Sequence, residues 1–242
     1  MGVKIRSYHV GLIPVLEYSS TQPKRLIFFQ HGLYGSKEKV MQLMGVKIAQ
    51  AGYRVVAIDS VDHGARARPP FDKVNTPHGE LRMFDLIDPS VEDVLAVYER
   101  EYQDAYPEFD YIGISFGGLM GYRLSTQSKR IRHLMVLMST PDYAAFYHHL
   151  DPTLQRRYET LINQGRKRIQ AINPIQDVQK MHFERLTIFH GSGDKDIPFE
   201  ASERFAQANP QLKIELKLFE TGHVINKAMF AALIQTLKDT GI

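Results

Sequence analysis

Ser115 sits at the centre of Gly113-Ile114-Ser115-Phe116-Gly117, a Gly-x-Ser-x-Gly pentapeptide. Phe109 to Ile114 before it is short, apolar and β-rich, and Leu119 to Gln127 after it reads as helix. A serine on a sharp strand-to-helix turn needs small neighbours, because the backbone there is strained and the flanking elements approach closely. Gly113 and Gly117 meet that need. Such a turn lifts the hydroxyl out of the sheet and aims the first helical amides at its surroundings, which suits a nucleophile. The plainer reading is a glycine-rich turn with a serine capping a helix. Three further motifs, in a particular order, weigh against it.

Acyl transfer requires two donors for the oxygen that turns negative in the tetrahedral intermediate. The amide just after the nucleophile, that of Phe116, is one. The other must come from a different loop at the same sheet edge. Leu26 to Gln30 reads as a buried strand running into His31-Gly32-Leu33-Tyr34-Gly35-Ser36, and the Leu33 amide is the natural candidate. His31 is expected to support that turn through nearby backbone rather than to react.

Leu186 to His190 is another short apolar strand, and it ends in Gly191-Ser192-Gly193-Asp194-Lys195-Asp196-Ile197-Pro198. A carboxylate here could orient a histidine and stabilise its charged form. Asp194 and Asp196 both qualify on type, and at least one is expected to cap the helix beginning near Pro198. Ile214, Leu216 and Leu218 alternate with Glu215 and Lys217, the pattern of a strand with one exposed face, and that strand leads to Gly222-His223. Histidine is the side chain best suited to take and return a proton near neutral pH.

The order serine, acid, histidine, each at the end of a strand, resembles the α/β-hydrolase family over essentially the whole chain. The resemblance rests on His31-Gly32, on the pentapeptide around Ser115, on His190-Gly191-x-x-Asp194-x-x-Ile197-Pro198, and on Gly222-His223. It implies Ser115 as nucleophile, Asp194 as acid and His223 as base, with the oxyanion amides on Leu33 and Phe116. Asp194 is preferred to Asp196 because the family acid is followed after two residues by an aliphatic-Pro pair, the register of Ile197-Pro198. A further stretch, Asp59-Ser60-Val61-Asp62-His63-Gly64-Ala65-Arg66, is similar to small bacterial serine esterases and to dienelactone-hydrolase-like or peptidase-like members. Asp62 and His63 are expected to brace a loop rather than to catalyse. True dienelactone hydrolases use a cysteine nucleophile, and this chain has none.

Around these motifs, strand and helix alternate. Val3–His9 and Leu12–Tyr18 predict a hairpin, followed by strands at 26–30, 54–59, 109–114, 133–138, 186–190 and 213–219. Helices are expected from near Ser36, where Val40, Leu43, Met44 and Ile48 share a face, and from Asp88-Pro89, 119–127, 199–208 and 224–238. This predicts an α/β fold: a largely parallel, doubly wound sheet of about eight strands with helices on both faces. Residues 1–242 are read as a single domain, with 140–181 as a small helical cap insertion. The cap opens at Asp151-Pro152, and the long 60–85 connection should overhang the site.

Tyr34, Tyr143, Phe146 and Tyr147 are candidates for lining an acyl or alcohol pocket, although packing the cap onto the core is an equal reading for the cap aromatics. Arg156, Arg157, Arg166, Lys167 and Arg168 read as solvated helix faces, and His148-His149 lacks a third ligand for a metal. Hydrophobic residues at 43%, charged residues at 24% and a net charge of +3 are ordinary for a globular protein and argue for no nucleic-acid or membrane-surface role. The absence of cysteine excludes disulfides and thiol catalysis. Without a signal-like N-terminus, a cytoplasmic location is the expectation. Together these features predict a serine carboxylesterase for small or medium acyl esters, with a small-molecule ester as partner, no cofactor, no metal, and an open oligomeric state. The alternatives are a peptidase or amidase on short substrates and, less favoured, a non-catalytic binding protein on the same scaffold.

Overall fold

The apolar run that precedes the serine forms a central strand of an eight-stranded sheet. The computed structural model describes residues 2–67, 82–145 and 159–239. Its strands are β1 (Lys4–Val10), β2 (Ile13–Ser19), β3 (Arg25–Gln30), β4 (Tyr53–Ile58), β5 (Phe109–Ile114), β6 (Ile131–Leu137), β7 (Arg185–Gly191) and β8 (Ile214–Phe219). They lie in the order β1-β2-β4-β3-β5-β6-β7-β8. The predicted hairpin pairs β1 with β2, and β2 lies antiparallel against β4. The remaining neighbours, from β4 through β3 to β8, are parallel.

Parallel neighbours need crossovers, and the crossovers here are helical. Lys37–Val40, a π turn at Met41–Gly45, and Val46–Gln50 run on as one helix, α1. The others are α2 (Ile87–Glu101), α3 (Phe116–Ser125), α4 (Glu159–Ile172), α5 (Glu200–Ala208) and α6 (Lys227–Asp239). Helices α2, α3 and α5 bury Val91, Val94, Leu119, Met120 and Phe205 against one face of the sheet. Helices α1 and α6 bury Met41, Met44, Ile48, Met229, Leu233 and Leu237 against the other. Leu26, Ile27, Phe28 and Phe29 of β3 are therefore covered on both sides, which explains why that strand reads as a continuous apolar run.

Several expectations need correction. Leu43 is 52% exposed, because the buried stripe of α1 runs through Val40, Met41, Met44 and Ile48 instead. Leu218 is 43% exposed, since β8 is an edge strand that α5 only partly covers. Tyr143 does not line a pocket: it is fully buried, its hydroxyl donates to the Leu119 carbonyl (2.5 Å), and its ring packs near Phe84. A phenol without solvent contact and with an internal acceptor is a core residue. It anchors the start of the 140–181 segment to α3, and Asn173 Oδ1 accepts from its amide.

In α4, Ile169 is buried, while Arg166, Lys167 and Arg168 face solvent as expected. Arg168 pairs with Asp85 at 2.9 Å. Phe146, Tyr147, His148, His149, Asp151, Pro152, Arg156 and Arg157 lie outside the described residues, as does most of the 60–85 connection. No helix among the described residues is long and apolar enough to cross a membrane.

Candidate active site

Ser115 is the residue between β5 and α3, with φ 51° and ψ −111°. Positive φ is rare for a residue with a side chain and stores about 1–3 kcal/mol that the surroundings must offset. The surroundings do so on both sides. The Ser115 amide donates to Leu137 O in β6 (2.8 Å), and the Ser115 carbonyl accepts from Gly118 and Leu119 (2.8 and 3.0 Å). The two glycines are required by contact. A methyl on Gly113 would lie 2.1 Å from Gly117 O, and one on Gly117 would lie 2.7 Å from Gln30 O. The α3 helix thus starts at Phe116, three residues earlier than predicted, directly on the serine.

The acid arrives from the turn after β7. Asp194 is 6% exposed. Its Oδ1 accepts the amides of Asp196 and Ile197, each at 3.0 Å, which aims Oδ2 outward. Asp196 supplies a backbone amide to this turn, and its own side chain is exposed. His223 arrives from the turn after β8. That turn is tied to the acid turn by Ser192 N to Phe219 O (2.8 Å) and Gly193 N to Thr221 O (3.0 Å).

The three side chains meet. His223 Nδ1 lies 2.8 Å from Asp194 Oδ2, and His223 Nε2 lies 2.9 Å from Ser115 Oγ. A carboxylate can only accept, so Nδ1 carries the imidazole proton and Nε2 is free to accept from the serine hydroxyl. Burial alone would raise the Asp194 pKa. Hydrogen bonds from His190, His223 and the Ile197 amide outweigh it and hold the carboxyl well below the usual range. Of these, His190 is the weaker donor by geometry. Its Nε2 is 3.5 Å from Asp194 Oδ2 but 2.8 Å from the Ile197 carbonyl, which takes most of that proton. Asp194, Asp196 and His223 also present donor atoms within 4.8 Å of one another. Within this group Asp194 Oδ2 and His223 Nδ1 are joined by a hydrogen bond.

The loop after β3 passes beside the serine. A methyl on Gly32 would lie 3.5 Å from Ser115 Cβ, so the Gly32-Leu33 backbone borders the hydroxyl. The Phe116 amide is the first of α3 and has no carbonyl four residues back within the helix. His31 is a support, as expected: Nδ1 donates to Gly32 O (2.8 Å) and Nε2 accepts from the Ser60 amide (3.2 Å). Burial, and less strongly the neighbouring His63, lower the His31 pKa to about 4. Tyr34 is 42% exposed at the rim of this loop, one residue past Leu33.

Sequence reasoning missed the cavity beside the acid. A space of about 690 Å³ is lined by Ala145, Asp194, Lys195, Pro198, Phe199 and Arg204, among others. No periodicity marks these residues, because they come from a turn, the start of a helix and a separate segment. It also missed Lys37, which is 4% exposed, and its partner Asp59 (Nζ to Oδ2 2.7 Å).

The alpha/beta hydrolase fold family matches residues 25–164. The chain belongs to that family. A Bacillus subtilis (strain 168) protein, YitV, named as a candidate esterase, is 21% identical over 216 residues, covering 84% of this chain and 83% of its own. Among solved structures, TT1662 from Thermus thermophilus superposes with a TM-score of 0.76 at 20% identity, covering 99% of this chain and 98% of that one. The puromycin-hydrolyzing peptidase of Mycobacterium tuberculosis gives 0.73 at 18% identity, covering 97% of this chain and 38% of that one. At such identities the structural likeness speaks for the fold.

Proposed function

We propose that this chain is a serine carboxylesterase acting on small or medium acyl esters, with Ser115 as nucleophile, His223 as base and Asp194 as acid. The observation that carries the reading is the continuous pair of hydrogen bonds from Asp194 through His223 to Ser115, on a serine held at φ 51°. His223 Nε2 takes the hydroxyl proton as Ser115 Oγ bonds to the ester carbonyl carbon. Asp194 stabilises the imidazolium, and the Leu33 and Phe116 amides receive the negative oxygen. The carbon–alkoxy bond then breaks, the alcohol leaves with the proton from His223, and an acyl group remains on Ser115. Water repeats the sequence, giving its proton to His223 and releasing the acid.

A cavity beside Asp194 has apolar walls at Ala145, Pro198 and Phe199, but neither Ser115 nor His223 lines it, so it does not define the acyl site. Ester cleavage is supported by the names of two relatives, the candidate esterase YitV and the Pyrococcus furiosus esterase Pf2001.

Hydrolysis of p-nitrophenyl esters from acetate to hexanoate, with Ser115→Ala beside wild type, tests this reading. Turnover that vanishes in the variant is expected. Equal turnover in a folded variant refutes the nucleophile, and a wild type inactive on every ester refutes the esterase.

A further inference from the structure

The Asp59–Arg66 loop takes no part in the proton transfers above, yet it is folded against both halves of the oxyanion site. Asp59 is fully buried at the end of β4. Its carboxylate accepts the amides of Lys37 and Ala65, each at 2.9 Å, and pairs with the Lys37 ammonium at 2.7 Å. Lys37 opens α1 just past the Leu33 turn, and Ala65 lies just past His63. One carboxylate therefore clamps the His63 turn to the segment that carries Leu33. Gly64 is required in this clamp: it has φ +52°, and a methyl there would lie 2.1 Å from Asp59 Oδ1.

His63 itself is 3% exposed and fills the gap between the two donor segments. Its ring stacks on that of Phe116, centroids 5.3 Å apart and planes at 15°. On another side it meets the His31 ring at 5.1 Å and 45°. Nδ1 lies 2.8 Å from the Val61 carbonyl and donates to it. Phe116 supplies one oxyanion amide, and His31 leads directly through Gly32 to the other. Nothing else among the described ring contacts touches both residues. Burial lowers the His63 pKa, so the ring is neutral at pH 7 and adds no charge to the site.

We infer that His63 is a positioning residue, whose ring sets the separation of the Phe116 and Leu33 amides to that required by the oxyanion. The inference rests on the hydrolase reading above. Donors must lie within a few tenths of an ångström of their optimum, and a misplacement of about 1 Å can lower the rate about 10²-fold. Substrate binding depends far less on these amides than the transition state does, so the effect falls on kcat rather than KM.

The test compares His63→Phe, His63→Asn and His63→Ala on p-nitrophenyl acetate, with active sites counted by a fluorophosphonate. Phe keeps the ring and loses the bond to Val61; Asn keeps a donor and loses the ring. Per titrated site, Phe should stay within about threefold of wild-type kcat, while Asn and Ala fall by about ten- to a hundredfold with KM within about threefold. The affinity of a trifluoromethyl ketone, which forms an oxyanion on the serine, should fall in step with kcat. If Ala does not fold, the Phe and Asn pair decides. An Asn variant as active as wild type, or losses confined to KM, would overturn the positioning role while leaving the hydrolase intact. A wild type that neither turns over the ester nor reacts with the fluorophosphonate would remove both readings.

Discussion

Asp194→Asn separates the two candidate acids and has a magnitude that follows from the site. The Asn side-chain oxygen can still accept the amides of Asp196 and Ile197, both at 3.0 Å, so the turn keeps its shape. The amide nitrogen then takes the place of Oδ2, 2.8 Å from His223 Nδ1. Two donors cannot face each other there, so the imidazole turns to the tautomer with its proton on Nε2. That proton points at Ser115, and His223 can no longer accept one. The charge that stabilises the imidazolium is lost as well. Loss of the correct tautomer in a serine triad lowers kcat by about 10⁴, equivalent to about 5 kcal/mol of transition-state stabilisation. Asp196 donates a backbone amide, which Asn preserves, and its nearby carboxylate is exposed and therefore screened by solvent, so Asp196→Asn should stay within about threefold. The assay is kcat/KM on p-nitrophenyl acetate from pH 5 to 9, with circular dichroism to confirm folding. An Asp194→Asn variant retaining a tenth of wild-type activity, or an Asp196→Asn variant losing more than the Asp194→Asn one, would move the acid away from Asp194.

Other parts of the structure give independent tests. His31 has a folded pKa of about 4, below its unfolded value of 6.5, so the unfolded chain binds more protons between those pH values. Its contribution to stability is present in full above pH 6.5 and declines as pH falls toward 4, by about 2 kcal/mol at pH 5. Urea unfolding of wild type and His31→Gln at pH 7 and pH 5 should show a smaller pH dependence in the variant; equal dependence would contradict the assignment. Gly113→Ala places a methyl 2.1 Å from Gly117 O, where backbone must move. A loss of about 3 kcal/mol, or a Tm lower by on the order of 10 °C, is expected, and an unchanged melt would show that the elbow has slack.

Much of this was legible in the sequence because the candidate site residues sit at strand ends. Each of β5, β7 and β8 reads as an apolar or alternating run that stops at Ser115, at the Asp194 turn, or before His223, and the alternation with helices fixes the parallel sheet. What the sequence pattern could not show is which segments meet. The order β2-β4-β3-β5 places the Asp59 turn beside the Leu33 turn, and this turns Lys37, ordinary at a helix start, into a buried ion pair. Aromatic type alone leaves Tyr143 open between lining a pocket and packing on the core, because it does not reveal that Leu119 O is within reach of its hydroxyl. Leu43 was placed inward by helical spacing, whereas the buried stripe follows Met41 and Met44 through the π turn. The cavity walls at Pro198, Phe199 and Arg204 carry no local signal, since the space forms only where they meet Ala145.

On this proposal Ser115 is a nucleophile activated by His223. The most direct test is covalent labelling of the intact protein with a fluorophosphonate, followed by mass spectrometry of the peptides. One adduct on the peptide containing Ser115 is predicted, lost in Ser115→Ala and slowed by orders of magnitude in His223→Ala. A folded protein that takes no label, or an adduct that persists in Ser115→Ala, would contradict the account.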